Sequence, residues 1–387
     1  MKFVNVLFVV LLYCTHLSAQ VTLPNNLYFT HIGVEDGLCQ NTVCCILQDH
    51  LGFIWLGTKD GLTRYDGYRF RVFKHDAADP MSIGNNFIRV LYEDADGLIW
   101  IGTNVGVYIY NPETENFRKF DVATERGDVI SREVSSIKCD SSGDLWIGVN
   151  WQGVFRYDRR DESLELYEPV PGDTTSLSSV HVWDLCFDGD GNLWVGSQNG
   201  GLDRYDRETD RFVRHRLKGL SDVSRIVLDK QNQLLLGTMK DGLFSFNPYM
   251  GTCQPLLLDS GHKDLFVRAI FVRNSREVVV GTENGIYIYD CVTRKTRHVN
   301  QELGNPYSLS CKAVYSIYCD KEGALWIGTY FGGVNYLPPS SSLIFDKFYP
   351  IGHSDRLSGK AVREFVRDES GIIWIGTEDQ GLNRFDP

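Results

Sequence analysis

The sequence repeats one short pattern eight times, and this repetition restricts the fold more than any other feature. Each copy has an aliphatic strand ending in Asp, then D-x-x-G-x-x-W-[ILV]-G, then a strand of the form G-[LVI]-x-R-Y-D. The glycine that follows the Trp position recurs at steps of 41 to 48 residues, at Gly57, Gly102, Gly148, Gly196, Gly237, Gly281, Gly328 and Gly376. A period in the forties made of short strands is typical of β-propeller blades. A propeller presents a surface, so the pattern favours recognition over chemistry.

Each copy predicts a blade of four antiparallel strands, and the whole chain an all-β fold. The first strand is apolar at fixed positions, as expected of a buried inner strand, and D-x-x-G indicates a tight turn. Trp occupies its slot in six copies, at Trp55, Trp100, Trp146, Trp194, Trp326 and Trp374. Leu235 and Val279 take that slot in the fifth and sixth copies, and Arg273 replaces the Asp of the sixth. We expect the indole rings to fill the wedges between neighbouring blades.

Charge and composition limit the partners of the chain. Its 387 residues carry a formal net charge of -11 and a pI near 5.3. Nucleic acids and anionic membrane surfaces both require clustered Lys and Arg, so neither is expected to bind this segment. A neutral sugar or a protein is a better candidate partner for this acidic chain. An anionic polysaccharide stays open as a ligand, because one local basic patch would be enough.

The N-terminus has the pattern of a secretory signal peptide. Lys2 precedes an apolar run over residues 3–13, and small residues at 17–19 form a cleavage site. We therefore assign residues 1–19 to a signal peptide and expect an exported, periplasmic chain. A lipid anchor at Cys14 is disfavoured, because the residue before it is a bulky tyrosine.

The cysteines and acidic turns do not predict a metal or another cofactor. Cysteines on the first strands read as small buried side chains; these are Cys44, Cys45, Cys139, Cys186 and Cys319. No C-x-x-C pair is present, which argues against zinc. The turns that begin at Asp94 and Asp188 resemble part of a calcium loop but lack its bidentate Glu. A disulfide from Cys39 or Cys311, both in loops, stays open.

Ring closure suggests how the chain divides into domains. Residues 28–32 resemble an outer strand, and we expect them to supply the fourth strand of blade seven, which protects its edge. Two prolines and three serines then interrupt the pattern, and residues 345–349 would open a second propeller. The predicted domains are a seven-bladed propeller at 20–338 and the incomplete first blade of a second propeller at 339–387. One eight-bladed ring is the competing arrangement. The chain ends within a blade, as a fragment of a longer protein would.

Two segments carry a family resemblance. Residues 52–67, GFIWLGTKDGLTRYDG, resemble the two-component-regulator propeller repeat. The lead-in VEDGL at 34–38, followed by V-x-x-I-x-x-D at 43–49, resembles the opening of the periplasmic sensor of Bacteroides-type hybrid two-component systems. This resemblance extends over essentially the whole mature chain.

The resemblance implies both a function and partners. In that family, two propellers precede a β-sandwich, a membrane helix, a histidine kinase, a receiver and a DNA-binding domain. The family senses oligosaccharides released from polysaccharides and switches on genes for their use. The resemblance therefore implies an oligosaccharide ligand, contacts with a second propeller and the β-sandwich, and a homodimer in the full receptor. Kinase activity is not expected in this chain, because the signalling domains are absent from it.

Candidate ligand residues lie in the variable loops and at the entrances of the first strands. Loops vary more than the blades that carry them, so specificity is expected there. Aromatic rings stack on sugars, while Arg and Gln side chains bond to hydroxyls or carboxylates. The candidates are Arg89, Trp151, Gln152, Trp183, Arg268, Tyr315, Tyr330 and Phe331.

Three functions are compatible with this pattern. The chain is a sensor module that binds a glycan or relays its binding, or a scaffold and dimerisation unit whose receptor binds ligand elsewhere. The third alternative is an exported propeller lyase or glycosidase. An enzyme needs convergent acids or a Tyr or His base in the channel mouth. His181, at a strand entrance, is the candidate base.

Overall fold

The structure is a computed structural model that describes residues 22–217, 220, 222–257, 265–339, 357–359 and 361–386. The predicted signal peptide at 1–19 and the predicted strand at 345–349 lie outside the described residues. The described part is all-β apart from one 3-10 helical turn, in agreement with the predicted class. No helix in it is long and apolar enough to cross a membrane.

The first elements are β1 (Thr30–Ile32) and the 3-10 turn (Val34–Asp36). Blade one contains β2 (Val43–Gln48), β3 (Ile54–Thr58), β4 (Gly61–Tyr65) and β5 (Phe70–Phe73), and blade two contains β6 (Ile88–Glu93), β7 (Ile99–Thr103), β8 (Gly106–Asn111) and β9 (Asn116–Phe120). Blade three contains β10 (Val134–Cys139), β11 (Leu145–Val149), β12 (Gly153–Asp158) and β13 (Ser163–Tyr167), and blade four contains β14 (Val182–Phe187), β15 (Leu193–Ser197), β16 (Gly201–Asp206) and β17 (Arg211–His215).

Blade five contains β18 (Arg225–Leu228), β19 (Leu234–Gly237), β20 (Leu243–Asn247) and β21 (Thr252–Leu257), and blade six contains β22 (Val267–Val272), β23 (Glu277–Thr282), β24 (Gly285–Asp290) and β25 (Thr296–Val299). Blade seven contains β26 (Val314–Cys319), β27 (Leu325–Thr329) and β28 (Val334–Leu337), and the eighth copy contains β29 (Val362–Arg367), β30 (Ile373–Thr377) and β31 (Gly381–Phe385). Within each sheet, consecutive strands pair antiparallel.

The ring closes through a strand taken from the N-terminus. Strand β1 pairs antiparallel with β28, with Thr30 opposite Tyr336 and Ile32 opposite Val334, so blade seven also has four strands. Strand β2 of blade one packs beside both β6 and β26. The described chain is therefore a seven-bladed β-propeller, as predicted. The exact domain boundaries stay a prediction.

The recurring glycine explains how tightly the blades pack. A Cβ added at Gly328 of blade seven would lie 2.9 Å from the Cβ of Val43 in blade one, which is too close for any larger residue. Among the described residues, the matching Gly376 of the eighth copy has no neighbouring blade against it, and a Cβ there would meet only a carbonyl oxygen 3.7 Å away. The eighth copy thus forms a separate three-stranded sheet outside the closed ring.

Asp and Trp of the repeat form one hydrogen-bonded unit. Asp49 Oδ1 accepts the backbone N–H of Phe53 at 2.9 Å, and its Oδ2 accepts the indole N–H of Trp55 at 2.7 Å. The same Trp-to-Asp bond occurs in the second, third, fourth, seventh and eighth copies, at 2.8 to 3.1 Å. The sixth copy lacks both residues, with Arg273 and Val279 in their places. The aspartate therefore stabilises the turn and also satisfies a buried indole.

Candidate functional site

A cavity of about 130 Å³ opens where the seven first strands meet around the axis. It is lined by Cys44, Arg89, Glu133, Val134, Ser135, Asn150, Val182, Trp183, Arg225, Arg268 and Tyr315. Four of the eight predicted ligand residues, Arg89, Trp183, Arg268 and Tyr315, thus converge on one cavity. Each of the four lies five residues before the Asp position that closes its strand.

A β-bulge explains why these side chains reach the axis. In blade two, Ile88 pairs with Thr103 and Val90 pairs with Gly102, which leaves Arg89 without a cross-strand partner. The same register shift occurs in blades one, three, four, six and seven. A bulge re-aims the unpaired side chain, and all six bulged residues line the cavity.

Arg89 and Arg268 are held in place by acids and aromatic rings. Arg89 donates to Asn104 Oδ1 at 2.7 Å and forms an ion pair with Glu133 at 3.1 Å. The guanidinium of Arg268 pairs with Glu283 and lies 4.3 Å from the centre of the Tyr315 ring. Both side chains are therefore oriented before any ligand arrives, which lowers the entropic cost of binding.

Arg225 and Trp183 have N–H donors that are not all hydrogen-bonded within the described protein. Arg225 donates from Nε to the carbonyl of Arg268 at 2.7 Å and from Nη1 to that of Ser224 at 2.8 Å. Burial lowers the pKa of Arg225; Asp184 opposes this effect, and the nearby Arg268 and Arg89 add to it. The indole N–H of Trp183 is buried and has no hydrogen-bond partner among the described residues.

On the rim, the loop between β11 and β12 presents Trp151. Its side chain is 66% exposed, and its ring stands edge-on to His181 with the ring centres 4.1 Å apart. The Nδ1 of His181 lies 3.1 Å from Asn150 Oδ1. The backbone of Trp151 has a φ of 71°, a left-handed conformation that is costly for a bulky residue. The strained loop holds the indole out towards solvent.

A second aromatic group lies on the loop between β27 and β28. Tyr330 contacts Tyr315 with ring centres 5.0 Å apart and Phe331 with ring centres 4.2 Å apart. Lys59 Nζ lies 4.1 Å from the centre of the Tyr330 ring and 3.1 Å from its hydroxyl. Because Tyr315 lines the cavity, this group joins the rim to the central site.

Gln152, predicted from the sequence as a ligand residue, has a structural task in this loop. Its Oε1 accepts the backbone N–H groups of Ser131 and Arg132 at 3.0 and 3.1 Å, and its Nε2 donates to Val129 O at 3.0 Å. These bonds tie the β11–β12 loop to the segment that leads from β9 into β10, so the amide of Gln152 is already occupied. Trp151, beside it, keeps its ring exposed.

Neither a metal site nor a reactive thiol is evident in the cavity. Within the described ranges, no cluster of His, Cys, Asp and Glu is placed to hold a metal ion. Burial raises the pKa of Cys44 to about 11, although nearby cations oppose this shift. Cys44 is therefore a neutral lining group at physiological pH, because only the thiolate is strongly nucleophilic.

Sequence reasoning missed several lining residues. Cys44 and Ser135 occupy the same bulged position as Arg89 and could have been found by the same count. Arg225 sits one residue later, and the pairing of its strand with β19 shows no bulge. Its copy is also the shortest of the series, at 41 residues, so the alignment of repeats did not single it out.

The fold is a β-propeller with a cavity on its axis, and the comparisons show which proteins have a similar sequence and fold. Residues 37–60, 82–105, 176–199 and 308–331 match the family described as two component regulator propeller. These four segments confirm the resemblance seen in the repeats. A stretch of 59 residues, 15% of this chain and 4% of the relative, is 39% identical to Histidine kinase P4 of Formosa agariphila.

Two solved structures are similar over nearly the whole chain. The extracellular domain of BT3049 from B. thetaiotaomicron, named as a hybrid two-component system, has a TM-score of 0.78 and 28% identity over 93% of this chain and 48% of that chain. The corresponding domain of BT4673 has a TM-score of 0.70 and 22% identity over 93% of this chain and 45% of that one. The present chain thus spans about half the length of these domains. The chain is similar to the extracellular region of hybrid two-component sensors.

An enzyme shares the fold as well. Virginiamycin B lyase from Staphylococcus aureus has a TM-score of 0.61 and 12% identity over 81% of this chain and 99% of the lyase. Identity this low shows a common propeller fold and says nothing about a common reaction.

Proposed function

We propose that this chain is a sensor module from the periplasmic part of a hybrid two-component receptor, and that it binds an oligosaccharide released from a polysaccharide. The similarity to the extracellular domain of BT3049 supports the receptor assignment. The family resemblance found in the sequence supports the ligand class. The receptor assignment and the ligand class therefore rest on different evidence, and separate experiments test them.

The observation that carries the proposal is the gathering of aromatic and guanidinium groups at one face of the propeller. Trp183, Tyr315, Arg89 and Arg268 line the cavity, and Tyr330 connects it to the rim. Flat apolar rings stack on the faces of sugar rings, while guanidinium groups bond to their oxygens. A site with few polar groups in fixed orientations is typical of small-ligand recognition.

The conformation of Trp151 adds independent support. Backbone strain of this kind is concentrated at functional sites, because the surrounding structure must maintain it. Asn199, at the matching position in blade four, has a φ of 59°, a conformation that Asn tolerates well. A packing role does not explain a bulky indole here, because its side chain is mostly exposed. A role in stacking on a ligand does.

Ligand binding would signal through the rest of the receptor. A ligand shifts a conformational equilibrium only by its difference in affinity for the two states. We infer that the two states are different packings of this propeller against the second propeller, the β-sandwich and a partner receptor in a homodimer. The histidine kinase on the far side of the membrane would respond to that change.

Calorimetry with the purified chain and a library of plant and microbial oligosaccharides tests the ligand class. We expect one class to bind and Trp151→Asn to weaken its binding about tenfold, which corresponds to a loss of about 1.4 kcal/mol of contact with the indole ring. The variant copies Asn199 and should melt at or above the temperature of the parent, because Asn tolerates the left-handed backbone better than Trp. Failure of every oligosaccharide to bind both this chain and the intact receptor would contradict the proposal.

A scaffold role is the main alternative, favoured by one observation. Phe331 is 69% exposed beside Tyr330, and such a patch also suits a protein partner. Phe331→Ser would then disrupt dimerisation of the intact receptor and leave saccharide binding to this chain unchanged. An enzymatic role requires turnover of a polysaccharide by the purified chain that is lost in His181→Ala.

A further inference from the structure

We propose that the central cavity recognises the carboxylate of an acidic sugar, a uronate residue of the oligosaccharide. This inference rests on the proposed function and narrows its ligand class from oligosaccharides in general to those that carry a carboxylate on the ring.

The first argument is a guanidinium group without an acid partner. No carboxylate among the described residues lies within ion-pair distance of Arg225, whose two bonded nitrogens donate to neutral carbonyl groups. Asp184 is the nearby acid, but its Oδ1 accepts from Ser136 and Leu185 and its Oδ2 from the backbone of Ile226. A desolvated cation is costly unless it is paired, so the cavity favours an anion.

The second argument is the charge around that group. Arg89 and Arg268 reach the same cavity, and each is balanced by one glutamate, Glu133 and Glu283 respectively. The lining itself thus carries three guanidinium groups, Arg89, Arg225 and Arg268, and one carboxylate, Glu133, in a chain whose net charge is -11. The basic site is therefore local. A neutral sugar would leave Arg225 without a direct ion pair, whereas a carboxylate would supply one.

The third argument is the unused indole N–H of Trp183. A buried donor without a partner costs about 1–3 kcal/mol, so such groups in native proteins call for an explanation. A carboxylate has two oxygens and can accept from a guanidinium fork and an additional N–H group at once. Trp183 and Arg225 both line the cavity, and in the proposed binding mode the Trp183 ring adjusts so that the carboxylate accepts from both.

The size of the cavity suits the carboxylate end of one sugar ring. A cavity of roughly 150 Å³ accommodates a benzene molecule, and this one measures about 130 Å³. The carboxylate would enter the cavity, and part of its ring would lie against Tyr315. The remaining units of the oligosaccharide would continue over the rim towards Tyr330 and Trp151, where exposed aromatic rings are available.

Calorimetry with the full chain tests this inference. The probes are disaccharides of galacturonate and glucuronate, the neutral disaccharides with the same linkages, and acetate and sulfate. We expect at least one uronate to bind about tenfold or more tightly than its neutral counterpart, since hydrogen bonds to charged groups are the stronger ones. Acetate and sulfate, which lack the ring, should bind far more weakly.

Two variants test the named groups. Arg225→Gln should reduce uronate affinity about tenfold or more and abolish the preference over the neutral sugar. Trp183→Phe removes the indole N–H, retains an aromatic ring and should weaken uronate binding selectively, which covers the case in which Arg225→Gln does not fold. The control variant is Arg71→Gln. It removes a cation of blade one that is paired with Glu115 of blade two, and it should bind uronates like the parent.

The outcomes separate this inference from the proposed function. Equal binding of neutral and acidic disaccharides, unaffected by Arg225→Gln and Trp183→Phe, would overturn the inference and leave the oligosaccharide sensor standing. Binding of acetate or sulfate as tightly as uronates would also overturn it, because the site would then recognise a simple anion. Absence of binding by the uronate probes and by every oligosaccharide of the library, to this chain and to the intact receptor, would overturn both.

Discussion

Replacing Asp203 by Asn is expected to stabilise the propeller at neutral pH. Asp203 lies on β16 and is completely buried. Its Oδ2 accepts from the backbone N–H and the hydroxyl of Ser178 at 2.9 and 2.6 Å, while its buried Oδ1 has no partner among the described residues. Burial raises the pKa of Asp203 to about 6, although the two Ser178 bonds and the charge of Arg214 oppose the shift.

Blade seven shows what the amide would do in the same place. Asn335 occupies the matching position on β28 and is likewise completely buried. Its Oδ1 accepts the backbone N–H of Ser310 at 2.8 Å, and its Nδ2 donates to the Ser310 hydroxyl at 2.9 Å. The amide thus satisfies both bonds of the serine without burying a charge. Asp203→Asn should form the same pair with Ser178.

The magnitude follows from the shift in the pKa of Asp203. The ordinary value is 3.8 and the folded value about 6, so the shift is roughly two units, or ~3 kcal/mol at 1.36 kcal/mol per unit. Because the folded pKa is raised, the carboxyl contributes its full stability below pH ~4 and loses it as pH rises through about 6. Asp203→Asn should therefore gain ~2–3 kcal/mol at pH 7.5 relative to the parent, and almost nothing at pH 4.

Urea unfolding of parent and variant between pH 4 and pH 8 measures this difference. The matched control is Asn335→Asp, which places the same buried carboxyl in blade seven. It should destabilise the protein at pH 7.5 and recover on acidification. A stability difference between Asp203→Asn and the parent that is the same at every pH would refute the reasoning, as would an Asn335→Asp variant as stable as the parent at pH 7.5.

Two further changes probe the ring. Trp100→Phe removes the buried hydrogen bond to Asp94 and part of the indole that fills the wedge between blades, and should lower the free energy of unfolding by about 2–4 kcal/mol. In the double variant with Asp94→Asn, the losses of stability from the two substitutions should be less than additive. Full additivity in urea unfolding would argue against a coupled pair. Deletion of residues 22–33 removes β1 and leaves the edge of β28 unpaired. This variant should melt at lower temperature and self-associate through that edge in light scattering, whereas a stable monomer would contradict the proposed role of β1.

The fold was predictable because every blade must satisfy the same packing conditions. A Trp fills the wedge between blades in five of the seven blades, and the close approach of Val43 requires glycine at position 328. Both residues recur in the sequence with one period. The strand that closes the ring was visible as an outer strand without a blade. Local pattern and overall fold therefore agree, as is typical of foldable sequences.

The site was predictable only in part. The count back from Asp identified Arg89, because the bulge falls at the same place in most blades. It did not identify Arg225, whose position depends on a strand pairing that the sequence does not show. The hydrogen bonds of the Gln152 amide and the pairing of Asp with Trp were also missed. Both depend on where side chains meet in three dimensions, which a one-dimensional repeat does not record.

The bulge at the start of the first strands separates two tasks within one strand. The flanking residues maintain the sheet, while the residue between them, such as Arg89 or Tyr315, is free of cross-strand pairing. Substitution there leaves the scaffold intact. Six such places around one axis allow the lining to be exchanged blade by blade, so that one architecture could acquire new chemical preferences through a few single-residue changes.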